Sequence, residues 1–172
     1  MENSNPYVQI ATEAIRAAVY GEQPVPEEEL LEKIPREPQG VFVTLKKGGK
    51  LRGCMGTYEP VEETLADEIM RNAASAAKKD PRFSPVSPEE LDQIKVSVSL
   101  LKKPKTCKAE DLDPNKYGVI VKKGARRGLL LPNIEEIDTV EKQLRVAKRK
   151  AGIDPTESDV QIKRFKAEKY TH

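Results

Sequence analysis

The residues best equipped for chemistry lie in one run, Leu51-Arg52-Gly53-Cys54-Met55-Gly56-Thr57. If the run is a strand, the two-residue alternation of side chains puts Arg52 and Cys54 on one face. A guanidinium beside a thiol favours the thiolate, the form that attacks electrophiles or binds soft metals. Gly53 and Gly56 would weaken that strand, and glycines placed so mark a bulge or the close approach of a ligand or another backbone. The run therefore describes a thiol at a bare backbone edge. A plainer reading makes Cys54 a small buried hydrophobe. That reading carries Arg52 toward the core, where its charge requires a carboxylate partner.

A second block, Asp80-Pro81-Arg82-Phe83, brings an acid, a base and an aromatic ring together within four residues. Asp80 could accept a proton or pair with Arg52, while Arg82 clamps an anion through charge-assisted hydrogen bonds. Its structural alternative is a helix-terminating turn closed by an Asp80–Arg82 pair. Basic residues gather at Lys122, Lys123, Arg126 and Arg127, and again at Lys142, Arg145, Lys148, Arg149 and Lys150. Such clusters can neutralise phosphates. With only 5% aromatic residues there is little to stack on bases, so these charges read as solvated faces and nucleic-acid binding ranks last. Cys107 sits in a polar stretch without flanking glycines and receives no role.

Composition narrows the classes further. The chain has 172 residues, 37% hydrophobic and 34% charged, enough for one globular domain with a real core and no need of disulfides. Thirty basic residues against 28 acidic ones leave a net charge of +2, too small for long-range steering onto nucleic acid or lipid. The longest run free of charged residues, positions 3–12, is far short of the roughly 20 apolar residues of a membrane span. No secretory signal is visible, so a cytoplasmic protein with reduced thiols is expected. The only histidine is His172, which leaves no Cys-His dyad and no histidine-built metal site; no metal or other cofactor is expected.

The elements that must position these residues follow from pattern. Asn5-Pro6 starts a helix that ends near Gly21, and a proline-rich connector laid over the surface follows, with one short amphipathic piece at 27–34. Residues 41–46 and 50–57 read as a hairpin around Lys47-Gly48-Gly49. Residues 61–79 read as a helix with a small-residue face, and Ser87-Pro88-Glu89-Glu90 spells a capping box. Residues 93–101 alternate as a strand with Gln93, Lys95, Ser97 and Ser99 on a wet face. Segments 117–122 and 128–131 form a second hairpin with 123–127 as its loop. A capping box at Asp138 opens a helix closed by Gly152, and a last strand changes parity, which predicts a bulge near Lys163-Arg164. The class is α+β with mainly antiparallel sheets, packed helices and no repeat.

Residues 40–57 (GVFVTLKKGGKLRGCMGT), DPRFSPVSPEEL with KVSVSLL, and YGVIVKK with RGLLLP together resemble the AMMECR domain family across nearly the whole chain. Bacterial and archaeal members of that family are often called AmmeMemoRadiSam system protein A. The resemblance implies a single domain over residues 1–172, an α+β fold of two unequal lobes, and the cysteine motif near the cleft between them. It also implies work with a Memo-like protein and a radical SAM protein. Carried over, the motif marks Arg52, Gly53, Cys54, Gly56 and Thr57, with Asp80, Pro81, Arg82 and Phe83 as its second block. Met55 stands where isoleucine is usual, and the segment after Pro132 lacks the family's tryptophan. Two functional classes stay open. In one, Cys54, Arg52 and Asp80 are catalytic on an unknown small substrate held by Gly53, Gly56, Thr57, Arg82 and Phe83; in the other, the domain is a non-catalytic interaction module.

Overall fold

The structure, a computed structural model, describes residues 5–171. His172 lies outside the described residues. The chain divides into two compact units, Met1–Leu101 with Glu168–His172, and Lys102–Ala167.

The first unit opens with α1 (Pro6–Val19), whose Asn5 side chain accepts from the Tyr7 N–H at 2.9 Å. A short α2 (Glu28–Glu32) follows, and β1 (Gly40–Lys47) and β2 (Lys50–Thr57) form the expected hairpin. Gly48 and Gly49 both hold positive φ (57° and 77°), which a tight two-residue turn of this hand requires. The connector is less superficial than its prolines imply, because Leu30 and Ile34 are buried in the core. Helix α3 (Leu65–Lys78) starts later than expected: Thr64 caps it by accepting from the Asp67 N–H at 3.1 Å, so 61–63 stay outside. Thr64→Ala should cost about 1 kcal/mol, read as a lower urea midpoint with unchanged slope. A 3₁₀ helix (Pro88–Gln93), β3 (Ile94–Leu101) and, from the chain's end, β8 (Ala167–Thr171) complete the unit.

The sheet order is β2-β1-β3-β8, with β1 antiparallel to both β2 and β3. Val41, Val43 and Leu45 of β1 and Val96, Val98 and Leu100 of β3 share the face that meets α1 and α3, where Val8, Ile15, Ile69 and Ala73 are buried. Each such aliphatic side chain removed from water contributes about 1.5–3 kcal/mol. The second face of β3 is wet only where the strand begins: Gln93 and Lys95 are exposed as expected, whereas Ser97 and Ser99 are 9% and 7% exposed, with Phe42 opposite Ser99.

The second unit holds β4 (Lys105–Thr106), β5 (Gly118–Lys123), β6 (Arg126–Leu130), α4 (Val140–Lys150) and β7 (Gln161–Phe165), in sheet order β4-β7-β5-β6. Here the hairpin loop is shorter than read, since Lys123 pairs with Arg126 around Gly124-Ala125. Thr139, not Asp138, caps α4 by accepting from the Lys142 N–H. Val119, Val121 and Leu130 pack with Ala147 and Ala151 of α4. The predicted bulge at Lys163-Arg164 is absent: β5 and β7 pair without interruption from Gly118↔Phe165 to Lys122↔Gln161. The parity change has another cause. Val121 and Ile162 meet on the sheet face toward α4, whereas Phe165 points to the opposite face against Gly118. No helix among the described residues is long and apolar enough to cross a membrane.

Candidate functional site

β2 carries Cys54, and the turn after α3 carries Asp80, Arg82 and Phe83. The Cys54 N–H donates to Asp80 Oδ2 at 3.0 Å. Asp80 in turn accepts from Arg82 Nη2 at 2.8 Å, from Arg82 Nε at 3.1 Å and from the Arg82 backbone N–H at 3.0 Å. The carboxylate is 5% exposed, while the Arg82 side chain remains 57% exposed. The Arg82 hydrogen bonds, with help from the Cys54 and Arg82 backbone N–H groups, hold the Asp80 carboxyl down at about 2. The same pairing raises the Arg82 guanidinium further. Arg82 also lies over the Phe83 ring, 5.5 Å from its centroid. Cys54 itself is half-buried, with Sγ 3.4 Å from Thr44 Oγ1 on β1.

The structure thus unites Cys54 with Asp80, Arg82 and Phe83, and it sends Arg52 elsewhere. Leu45 pairs with Gly53 and Lys46 with Leu51, so Arg52 is the extra residue of a β-bulge. That extra residue interrupts the alternation on which a shared Arg52–Cys54 face depended. Arg52 forks onto Glu90, Nε to Oε1 and Nη2 to Oε2 at 2.9 Å each, and donates through Nη1 to the Ser84 carbonyl at 2.8 Å. Lys47 joins Glu90 at 3.0 Å. These cations, Arg52 foremost, and the Ser87 N–H keep the Glu90 carboxyl far below its ordinary range. Glu90 is therefore the carboxylate that a half-buried Arg52 needed, and Asp80 is not.

The motif glycines also have internal occupants. A Cβ on Gly53 would lie 2.3 Å from the Ala76 carbonyl oxygen of α3, and one on Gly56 would meet the Phe42 ring at 2.3 Å. Helix α3 crosses β2 at the position of Gly53, so this close approach is the fold's own. Thr57 serves the same helix: its hydroxyl donates to Glu68 and accepts from Asn72 Nδ2 at 3.0 Å. Glu68 is fully buried and takes the Val61 and Glu62 backbone N–H groups at 3.0 and 2.7 Å. Sequence reasoning missed Glu68, Asn72, Thr44 and Glu90. Glu68 and Asn72 left a signal as polar residues four apart on a helix whose apolar stripe they border, and Glu90 left one only as the acid of the capping box. Among the described residues no group of three or more His, Cys, Asp or Glu is placed to hold a metal ion.

Comparison with known proteins agrees with this architecture. A Thermotoga maritima protein is 53% identical over 173 residues, covering 99% of both chains. A Clostridium acetobutylicum protein is 45% identical over 95% of this chain, which spans only 35% of that longer protein. The crystal structure of an uncharacterized protein from Pyrococcus horikoshii superposes with a TM-score of 0.86 at 31% identity, covering 95% of this chain and 88% of that one. The AMMECR1 sequence pattern matches residues 8–170, a span that includes β2, the Asp80 turn and all eight strands but the last residue of β8, and on that match the chain belongs to the AMMECR1 family.

Proposed function

We propose that Cys54 is the working thiol of a cytoplasmic enzyme or carrier that handles a small anionic electrophile, attended by Arg82 rather than Arg52. The carrying observation is the Asp80 carboxylate, which bridges the Cys54 backbone N–H and the Arg82 guanidinium and so ties an exposed cation to the residue that bears the thiol. Arg82 draws a negatively charged substrate toward the sulfur, while Phe83 offers it an apolar wall. Thr44 supplies a hydroxyl partner for the sulfur. Gly53, Gly56 and Thr57 act indirectly in this reading, since they seat β2 against α3 and Phe42.

Alkylation of a Cys107→Ser protein at pH 7 tests the proposal, because it isolates Cys54. Iodoacetate, an anion, should react faster relative to neutral iodoacetamide than it does with a free thiol. An exposed charge pair is worth up to about 1 kcal/mol, so Arg82→Ala should lower that ratio by up to about five-fold. Labelling of Cys54 only after denaturation would defeat the proposal.

A second reading rests on the position of β2 as an outer strand of its sheet. A partner could add a strand there, and the family resemblance points to Memo-like and radical SAM proteins as such partners. It ranks second because Asp80 already occupies the Cys54 N–H on that edge. Cys54→Ser separates the two: a docking edge keeps its partner, whereas a thiol-dependent activity disappears.

A further inference from the structure

The second unit carries a pocket of its own. A cavity of about 310 Å³ is lined by Lys102, Lys103, Lys105, Tyr117, Arg164, Phe165 and Lys166, without a single acidic side chain. Two backbone pairings bring the cations together. Lys105 lies directly opposite Arg164 in the β4–β7 ladder, and the Lys102 N–H donates to the Lys166 carbonyl at 2.8 Å. Like charges directly opposite one another destabilise a sheet. No carboxylate among the described residues forms an ion pair with Lys103, Lys105, Arg164 or Lys166.

Arg164 is also set in place before any ligand arrives. Its guanidinium stacks on the Tyr117 ring at 4.3 Å, and Nη1 donates to the Asp111 carbonyl at 2.8 Å. Tyr117 is pinned in turn, its N–H to the Asp113 carbonyl at 2.8 Å and its carbonyl accepting from Gln143 Nε2 at 2.8 Å. A planar guanidinium held by a ring and one carbonyl keeps further N–H donors for an oxyanion, and little rotamer freedom is lost when it binds. Arg164 is thus fixed in a concave site that Tyr117 and Phe165 also line, and the backbone pairings set the exposed lysines around it.

From this we infer that the pocket binds a small phosphate-bearing anion. The volume lies at the lower end of the about 300–1,000 Å³ typical of small-molecule sites, which excludes a large ligand. The charge requirement argues for phosphate over a single carboxylate, because a phosphate monoester carries about −1.5 to −2 at neutral pH and three strong acceptor oxygens.

Calorimetric titration of the full chain with pyrophosphate, AMP, citrate and a short RNA tests the inference. One saturable site for pyrophosphate or AMP is expected, weakened by salt; a preference for AMP assigns the pocket to a nucleotide and a preference for pyrophosphate to an inorganic or terminal diphosphate, each in support. Lys105→Glu should weaken that binding at least about ten-fold. Because it turns a like-charge pair with Arg164 into an opposite one, it should also raise Tm by about 1–3 °C. Arg149→Glu on α4 should leave the binding unchanged. Absence of a saturable phosphate site, citrate binding as tightly as pyrophosphate, RNA binding without a plateau, or equal losses from Lys105→Glu and Arg149→Glu would each overturn the inference.

Discussion

Gly53→Ala is expected to destabilise the fold by about 3 kcal/mol, at the upper end of the range for overpacked interiors. The added Cβ would sit 2.3 Å from the Ala76 carbonyl oxygen and 3.2 Å from its carbon. Both atoms belong to the backbone of α3, so no rotamer change relieves the contact and the helix must lift from the sheet. Lifting it disturbs the buried contacts of Ile69 and Ala73 and the Glu68–Thr57–Asn72 hydrogen bonds on the same helix. Strand propensity acts the other way, since alanine is favoured over glycine by roughly 0.5–1 kcal/mol, and the clash outweighs it. Gly56→Ala should cost less, because what it meets is the Phe42 side chain, nearest at Cγ: turning the ring about its own axis leaves Cγ in place, but a change of χ1 moves one side chain where Gly53→Ala must move a helix. Urea unfolding of both variants gives the comparison. A Gly53→Ala protein as stable as the parent would return Gly53 to the role of leaving room for a ligand.

That contrast shows where sequence reading succeeds and where it stops. The β1–β2 hairpin was legible because Gly48-Gly49 between two β-branched runs has few other uses, and α1 because Asn5-Pro6 states its start. The capping box at Ser87 was also legible, and the structure realises it through the Ser87 N–H and Glu90 Oε2 at 2.9 Å. The second duty of Glu90 was not legible. That it also neutralises Arg52 depends on a turn and a bulge meeting in space, 38 residues apart. The bulge had a trace in the glycine after Arg52, yet a glycine does not say which neighbour becomes the extra residue. Likewise, alternation over 93–101 revealed β3 and not its coverage: a strand's serine face looks the same on paper whether water or protein lies beyond it. The Asp80–Arg82 pair was legible, because two residues on one helix-ending turn can meet without help from the rest of the fold; what was not legible is that the same carboxylate takes the Cys54 N–H from another element while Arg52, its expected tertiary partner, goes to Glu90.

Asp80→Asn should remove about 2 kcal/mol of stability at pH 7, and its effect should vanish in acid. The carboxyl sits at about 2 in the folded protein against an ordinary value of 3.8, a gap that corresponds to about 2 kcal/mol. At 5% exposure solvent screens little of it. A group whose pKa is depressed by folding stabilises the fold fully above its unfolded value and loses that contribution as pH falls through the folded one. The wild-type advantage should therefore be complete above about pH 4 and shrink between 3.8 and about 2. Glu90 is depressed as well, so both proteins lose stability in acid; the difference between them isolates Asp80, because the Arg52–Glu90 pair is the same in each. Urea midpoints at pH 7, 4 and 2.5 supply the measurement. Parallel curves would mean that the Asp80 charge contributes nothing to holding Arg82 beside Cys54. Converging curves would identify the carboxylate as the element that fixes the cation, so that the same residue governs both the acid limit of the fold and the electrostatic setting of the thiol.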